Sequence, residues 1–192
     1  MSTSGRTLRT HTTTTSRGQT TSPTVIPVDT SSRLKEIRKL VNDNNKSEID
    51  TDTIICQIYM ESRFNPRAAA DSSTAKGLMQ LLRAPIRELY RLRELEKPRS
   101  QRRAESEIYI EADRYHAGEA LWDEAKNIQT GTEYLQILIN QQRQRNASTP
   151  IEEAYKKYRG LSNGIYYRKI KSAAQLLKSR PNDMKILQDM VN

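Results

Sequence analysis

The sequence has few of the residues that covalently or metal-stabilised folds require. Cysteine occurs once, at Cys56, so an internal disulfide framework is excluded. One cysteine with only His11 and His116 as imidazole donors cannot complete a zinc site, and we expect no metal. We predict that Cys56 is a small buried hydrophobic residue rather than a nucleophile.

Long apolar runs are also missing. No run in the sequence approaches the roughly 18 apolar residues that a membrane-spanning helix needs, so we expect no membrane span. Residues 1–21, MSTSGRTLRTHTTTTSRGQTT, contain no apolar segment of the kind that a secretory signal has. We therefore expect that export of this protein would need another route.

The residues that are present separate into a tail and one domain. Residues 1–30 are dominated by Thr, Ser, Gly and Pro. Such a composition cannot bury enough apolar surface to offset the entropy of ordering, so we predict a disordered tail there. Over residues 31–192, Ile, Leu, Tyr and Ala recur at helical spacing, whereas strand signals are weak. The prediction is one mainly α domain with at most a small β element.

Positive charge is the most pronounced feature of the composition. The net charge of +9 favours binding to polyanions, which include nucleic acid, anionic lipid and acidic cell-wall polymers. Basic residues cluster around a predicted helix over residues 85–97. This cluster is either a polyanion-binding surface or a solvated helix face. Its members are Arg83, Arg87, Arg91, Arg93, Lys97, Arg99, Arg102 and Arg103.

One predicted helix brings a carboxylate to an apolar face. Its buried side is marked by Ile54, Ile55, Ile58 and Tyr59, and Glu61 stands three residues after Ile58 on the same stripe. Desolvation at such a position raises the pKa of a carboxyl group towards the working pH of a general acid. Taken alone, however, a glutamate at the end of an apolar stripe is more often an ion-pair partner of Arg or Lys.

Three further helices are predicted downstream. A helix through residues 127–139 carries Gly131 in its middle, which indicates close approach of another element. A short helix opens at Pro150 and ends at Gly160. A long helix then covers residues 166–178.

Four ordered blocks of the chain resemble the lytic transglycosylase and goose-type lysozyme group. The segment ESRFNPRAAADSSTAKGLMQLLRAPIREL, residues 61–89, is similar to the half of that fold in which a Glu-Ser pair ends a core helix, an F-N-P turn follows and a G-L-M-Q segment lines the cleft. NIQTGTEYL at residues 127–135 and AYKKYRGLSNGIYYRKI at residues 154–170 resemble the family's later helices. The resemblance covers residues 50–170.

The resemblance implies a lysozyme-like fold with a groove between helices. Glu61 would be the catalytic acid/base, and Ser62 a hydrogen-bonding neighbour of it. Met79 and Gln80 would line the sugar cleft. In the family this chemistry requires no metal and no cofactor.

The family's last motif also supplies a tyrosine that approaches the catalytic carboxylate. We assign it to Tyr158, because Y-R-G then stands where the family has Y-N-G, with an ungapped alternative at Tyr155. Two departures affect the cleft. Arg159 replaces the expected asparagine, and LLRAP follows Gln80 where M-P-A-T is usual.

Three activities remain open at this point. A lytic transglycosylase would cleave the MurNAc-GlcNAc β-1,4 bond of peptidoglycan with one glutamate. A hydrolytic muramidase would need a second carboxylate to direct water, for which Asp71 is the nearest candidate, although Asp-Ser-Ser is also ordinary turn chemistry. A catalytically silent polyanion-binding module is the third possibility. The presence of Glu61 together with GLMQ speaks against it, so we expect no nucleic-acid partner.

The biological setting is inferred from the missing signal. A wall-degrading domain without a signal peptide is expected to act in the periplasm or cell wall after delivery by a specialised secretion apparatus, a phage-type route or a conjugation machine. We favour a secreted antibacterial effector, a toxin for which an immunity protein would block the cleft.

Overall fold

The computed structural model describes residues 30–69 and 73–192. The predicted tail and Asp71 therefore lie outside the described residues, apart from residue 30 at the end of the tail. Within these ranges the chain is almost entirely helical, as predicted. The α-helices are α1 Thr30–Asn44, α2 Thr51–Ser62, α3 Arg83–Leu95, α4 Glu105–Ala117, α5 Glu124–Gln144, α6 Pro150–Arg159, α7 Ile165–Ser179 and α8 Met184–Val191.

Only short elements break this helical pattern in the described ranges. Two 3-10 turns lie at Arg99–Gln101 and Ala120–Trp122. β pairing is confined to an isolated antiparallel bridge between Lys76 and Leu81, which agrees with the prediction of at most a small β element. None of the helices described here has the length and apolar content to cross a bilayer.

Helix α2 lies at the centre of the packing. The side chain of Asp50 caps its N-terminus by accepting a hydrogen bond from the Thr53 N–H, and Arg63 ends it in the left-handed region at φ 55°. Helices α1, α7 and α8 all pack against it. As a result the burial extends beyond the predicted stripe, and Cys56 is fully buried, as predicted. Burial raises the pKa of this thiol to about 12, which is incompatible with a reactive thiolate.

The later helices follow the predicted pattern closely. Helix α6 ends at Gly160, which adopts a left-handed φ of 65° as a C-terminal cap. Gly131 in α5 faces a neighbouring segment, because a Cβ atom at this position would stand 2.5 Å from the sulfur of Met79. The close approach indicated by the sequence is therefore confirmed. Helix α8, beyond the last predicted helix, was not anticipated.

Ion pairs occupy most of the basic cluster around α3. Arg87 bonds Asp113 of α4 through two nitrogens, and Arg93 does the same with Glu133 of α5. These contacts favour the solvated helix face over a polyanion-binding surface, because the cations are already paired with acids of the fold. The remaining pairs are Arg83 with Asp113, Arg91 with Glu88, Lys97 with Glu94, and Arg103 with Glu94 and Glu111.

Candidate active site

Glu61 is the penultimate residue of α2, and its carboxylate is held by two other helices. The side chain is 4% exposed. Its Oε1 atom accepts a hydrogen bond from the hydroxyl of Tyr166 in α7 at 2.5 Å. Its Oε2 atom accepts one from Nη1 of Arg159, the last residue of α6, at 2.9 Å. The carboxylate therefore lies where α2, α6 and α7 meet.

The surroundings of Glu61 raise its pKa. Burial is the largest cause, since it penalises the charged form. The hydrogen bond from Tyr166 and the positive charges of Arg159 and Arg63 act in the opposite direction. Because burial prevails, the group retains its proton to a higher pH than an ordinary glutamic acid. This is the property that a general acid needs near neutral pH.

An open pocket lies beside this carboxylate. Gln80 forms part of its wall and stands in the left-handed region at φ 49°, while its side-chain amide donates to the carbonyls of Ala68 and Gly77, both at 2.8 Å. Gln80 thus lines the same pocket as Glu61, where the sequence placed it. The described lining residues are Met60, Glu61, Ser62, Arg63, Asn65, Arg67, Ala68, Ala69 and Gln80.

The turn that carries Gln80 is fastened by one buried asparagine. Asn127 is fully buried, and its Oδ1 accepts from the N–H of Met79 at 2.8 Å. Its Nδ2 donates to the carbonyls of Lys76 and Leu121 at 3.0 and 2.9 Å. Gly77 passes so close that a Cβ atom there would stand 2.2 Å from Nδ2 of Asn127. Asn127 therefore fixes the position of this side of the cleft.

A buried histidine holds the flank of the same turn. Nε2 of His116 lies 2.9 Å from the carbonyl oxygen of Thr74 and 3.2 Å from that of Leu81. Both partners are acceptors, so Nε2 must carry a proton and donate. Burial lowers the pKa of His116, which keeps the ring neutral. Its role is structural, since both of its contacts go to the backbone.

Met79 and Ser62 differ in their relation to the pocket beside Glu61: Ser62 lines it, and Met79 is not among its described lining residues. The Met79 side chain is fully buried against Gly131, so it supports the turn from behind instead of lining the cleft. The Ser62 hydroxyl donates to the carbonyl of Ile58, one turn earlier, at 3.0 Å. Intrahelical bonding of this kind satisfies a buried serine, and it directs the hydroxyl away from the Glu61 carboxylate.

Two tyrosines lie near Glu61: Tyr166 bonds its carboxylate, while the predicted Tyr158 is close enough for the negative charge of Glu61 to contribute to its raised pKa. The hydroxyl of Tyr158 donates to the carbonyl of Met79 at 2.9 Å, which ties α6 to the cleft turn. Tyr155 is fully buried, and its hydroxyl donates to Oε1 of Gln57 at 3.1 Å. Tyr166, in the first turn of α7, supplies the contact to Glu61. Only the packing of α7 on α2 brings it there, so spacing within the last motif gave no signal for it.

A second pocket lies next to Arg159. Tyr134 and Tyr158 form an aromatic wall there, with ring centroids 5.9 Å apart. Arg159 lines this pocket and bonds Glu61, which lines the first one, and the two pockets together are called the groove. The described residues that line this second pocket are Leu82, Ala84, Pro85, Glu88, Tyr134, Lys157, Tyr158, Arg159 and Gly160.

Two other features lie apart from this groove. A pocket between α7 and α8 is lined by residues such as Leu176 and Ile186. It shares no lining residue with the pocket beside Glu61. Across residues 30–69 and 73–192, no group of three His, Cys, Asp or Glu side chains is arranged to hold a metal ion.

Comparison with known families identifies this arrangement. The family model for the transglycosylase SLT domain matches residues 41–160, which is more than half of the 192 residues. The chain belongs to this family, a lysozyme-like domain that acts on peptidoglycan, and the resemblance seen in the sequence is confirmed. Searches of curated proteins and of solved structures produced no match.

Proposed function

We propose that this chain is a peptidoglycan lytic transglycosylase that cleaves the MurNAc-GlcNAc β-1,4 bond with Glu61 as its acid/base. One observation carries the proposal. The Glu61 side chain is 4% exposed, has a raised pKa, lines one open pocket and bonds Arg159, which lines another. Membership of the transglycosylase SLT domain family supports the same substrate class.

The proposed reaction uses Glu61 twice. As the neutral acid it donates its proton to the glycosidic oxygen while the bond from that oxygen to C1 of MurNAc breaks. The N-acetyl group of the same sugar stabilises the positive charge that develops at C1. The Glu61 carboxylate then takes the proton of the C6 hydroxyl, whose oxygen bonds C1 and closes a 1,6-anhydro ring. Glu61 ends protonated as it began, and no water is consumed.

Tyr166 would act as the positioning residue of this cycle. Its hydroxyl bonds Oε1 of Glu61, and burial raises the pKa of Tyr166 well above its ordinary value, so it remains a donor. A fixed donor on one oxygen restricts the rotation of the carboxyl group. Proton transfer is thereby favoured at the other oxygen, which must face the substrate.

Hydrolysis by a muramidase is the alternative within the same fold. It would require a second carboxylate that directs water. Among the described lining residues, Glu61 is the carboxylate of its own pocket, and Glu88 of the second pocket has both oxygens bonded to Arg91. Asp71→Asn tests the alternative directly. Unchanged cleavage by this variant supports the transglycosylase, whereas a large loss together with reducing-end products would favour the muramidase.

The decisive experiment is mass spectrometry of soluble products from purified peptidoglycan, treated with the wild type or with Glu61→Gln. We expect 1,6-anhydro-muropeptides from the wild type. We expect at least an approximately 100-fold lower yield from the variant, in line with the loss of a general acid/base. Reducing-end MurNAc products would contradict the transglycosylase reaction. Equal activity of the two folded proteins would contradict the role of Glu61.

We further propose that the protein is an antibacterial effector delivered to the periplasm or wall by a secretion apparatus, with a cognate immunity protein that blocks the cleft. Its net charge of +9 suits acidic wall polymers. Lysis of a bacterial host is expected when the chain is directed to the periplasm, and not when it stays in the cytoplasm. Glu61→Gln directed to the periplasm is the control, and lysis by this variant would contradict an enzymatic toxin.

A further inference from the structure

Arg159 covers the carboxylate from the groove side. It is the last residue of α6, and its side chain is 42% exposed. One nitrogen bonds Oε2 of Glu61 at 2.9 Å, and the guanidinium carbon stands 5.1 Å from the ring centroid of Tyr166. Arg159 therefore reaches the acid from the groove into which the glycan strand must bind.

The ion pair opposes the first chemical step. A general acid must be neutral when it donates its proton, whereas a guanidinium on the carboxylate favours the ionised form. The groups that face Glu61 are Tyr166 from α7, Tyr158 and Arg159 from α6, and Arg63 at the end of α2. The guanidinium of Arg63 is held by the carbonyls of Tyr59 and Met60. Arg159 is thus the cation that has to leave Oε2 before Glu61 acts as an acid.

Among the described residues that line the second pocket with Arg159, Glu88 is the one acid. Arg159 uses one of its five N–H donors on Glu61, so the others remain for a planar acceptor such as a carboxylate. Glu88 lines the same pocket, yet both of its oxygens already bond Arg91, at 2.7 and 2.8 Å. An anionic group that draws Arg159 away would therefore have to arrive with the substrate.

We propose that Arg159 is a substrate-specificity latch that a carboxylate of the glycan strand draws off Glu61, so that anionic strands are cleaved in preference to neutral ones. This inference rests on the proposed function. Two groups of peptidoglycan carry the required chemistry, namely the lactyl carboxylate of peptide-free MurNAc and the carboxylates of the stem peptide.

The first test is the pH dependence of cleavage of soluble peptide-free glycan strands. The dependence of kcat/KM reports ionisations of the free enzyme, and that of kcat reports those of the enzyme-substrate complex. In Arg159→Asn, the basic limb of kcat/KM should move up by about one pH unit, because the cation that favours the ionised carboxylate is gone. The basic limb of kcat should not move, because Arg159 has already left Glu61 in the enzyme-substrate complex.

Two further variants separate the latch from general effects of charge or folding. Arg159→Lys keeps the positive charge, so its kcat/KM limb should remain near that of the wild type. Lys171→Asn removes a positive charge from an exposed position of α7 and should leave both limbs unchanged. An unmoved kcat/KM limb in Arg159→Asn, at an unchanged melting temperature, would overturn the proposal. A shift of equal size in Lys171→Asn would also overturn it.

The second test compares substrates. Peptide-free strands with free lactyl carboxylates are compared with the same strands converted to amides, and peptide-bearing strands with free stem carboxylates are compared with their amidated form. The wild type should prefer one free form by about tenfold, the contribution of a charge-assisted hydrogen bond. Arg159→Asn should lose this preference. The pair that shows the preference identifies which carboxylate opens the latch.

The outcomes distinguish the latch from the proposed function. Cleavage that depends on Glu61 but shows no preference for free carboxylates, or a preference that persists in Arg159→Asn, overturns the latch and leaves the transglycosylase standing. A folded wild type that cleaves none of the four strands, or cleavage that Glu61→Gln retains in full, overturns both.

Discussion

Two glutamates of this fold are covered almost equally and yet differ in the direction of their pKa shift. The side chains of Glu61 and Glu94 are 4% and 3% exposed. The pKa of Glu61 is raised, chiefly by burial. That of Glu94 is lowered to about 2, chiefly by hydrogen bonds from the side chain of Arg103, with a backbone bond from the same residue and one from Lys97.

The difference lies in the balance between desolvation and hydrogen bonding: desolvation is the largest influence on the pKa of Glu61, whereas at Glu94 it ranks behind the bonds from Arg103 and Lys97. Glu94 accepts the backbone N–H and two side-chain N–H groups of Arg103, and also the ammonium of Lys97 at 3.0 Å. Glu61 accepts one hydroxyl and one guanidinium nitrogen. Low exposure therefore does not by itself mark a catalytic acid. A catalytic acid is recognised by low exposure combined with too few hydrogen-bond donors to offset the cost of burying its charge.

The largest expected effect separates the two glutamates by function. Glu61→Gln should lower transglycosylase activity by at least about 100-fold while leaving the melting temperature near that of the wild type. Glu94→Gln should retain activity and lower the melting temperature, because Arg103 and Lys97 lose a charged acceptor that fixes residues 94–103. Activity assays and thermal unfolding of both variants check this. If Glu94→Gln proved inactive while folded, the comparison would fail.

A smaller effect is expected from the hydroxyl of Tyr166. Tyr166→Phe should lower kcat by about tenfold with little change in KM, because one hydrogen bond to a charged group is lost from the acid but not from the bound sugar. Tyr167→Phe is the matched control. Tyr167 is the next residue in the same helix, and its ring stacks on that of Tyr155 with the ring centroids 4.7 Å apart. Phenylalanine preserves this contact. Equal losses in the two variants would remove Tyr166 from the mechanism.

The smallest expected effect is on the pH dependence of the free energy of unfolding, and its sign is opposite for the two glutamates. Glu94 has a folded pKa of about 2 against an ordinary 4.5. Its stabilising contribution is therefore present above pH 4.5 and is lost as the pH falls through about 2. For Glu61, whose folded pKa is raised, the contribution is fully present below the unfolded pKa and is lost as the pH rises through the folded one.

Urea unfolding at several pH values measures both signs. The deficit of Glu94→Gln relative to the wild type should shrink as the pH is lowered. Glu61→Gln should gain on the wild type as the pH is raised from acid to neutral. Parallel curves for the wild type and either variant would show that the assigned pKa direction of that residue is incorrect.

Local sequence signals predicted a large part of the fold. Proline and glycine at the two ends of α6 marked its bounds, and the apolar repeat of α2 predicted that its central residues are buried. Gly131 indicated a close approach that the structure confirms. These features depend on neighbours within a few residues, so the chain itself encodes them. Helix α8 was missed because its eight residues give too short a pattern.

The orientation of side chains around the cleft was harder to predict from the sequence. Met79 belongs to the motif that lines the cleft in the family, but its side chain turns inwards because Gly131 leaves space behind it. The basic cluster around α3 gave no indication of its partners, since Asp113 and Glu133 lie on other helices. Periodicity assigns a residue to a face of its own helix, and packing determines what that face meets.

The sequence alone determined that the chain is mainly helical and that Glu61 lies in the last turn of the buried helix α2, because capping, apolar spacing and the motif all act within short stretches of chain. Only the tertiary structure decided which groups hold the carboxylate. Arg159 and Tyr166 lie 98 and 105 residues from Glu61 along the chain. They reach its two oxygens because α6 and α7 pack beside the end of α2, and no local pattern specifies the geometry of that packing.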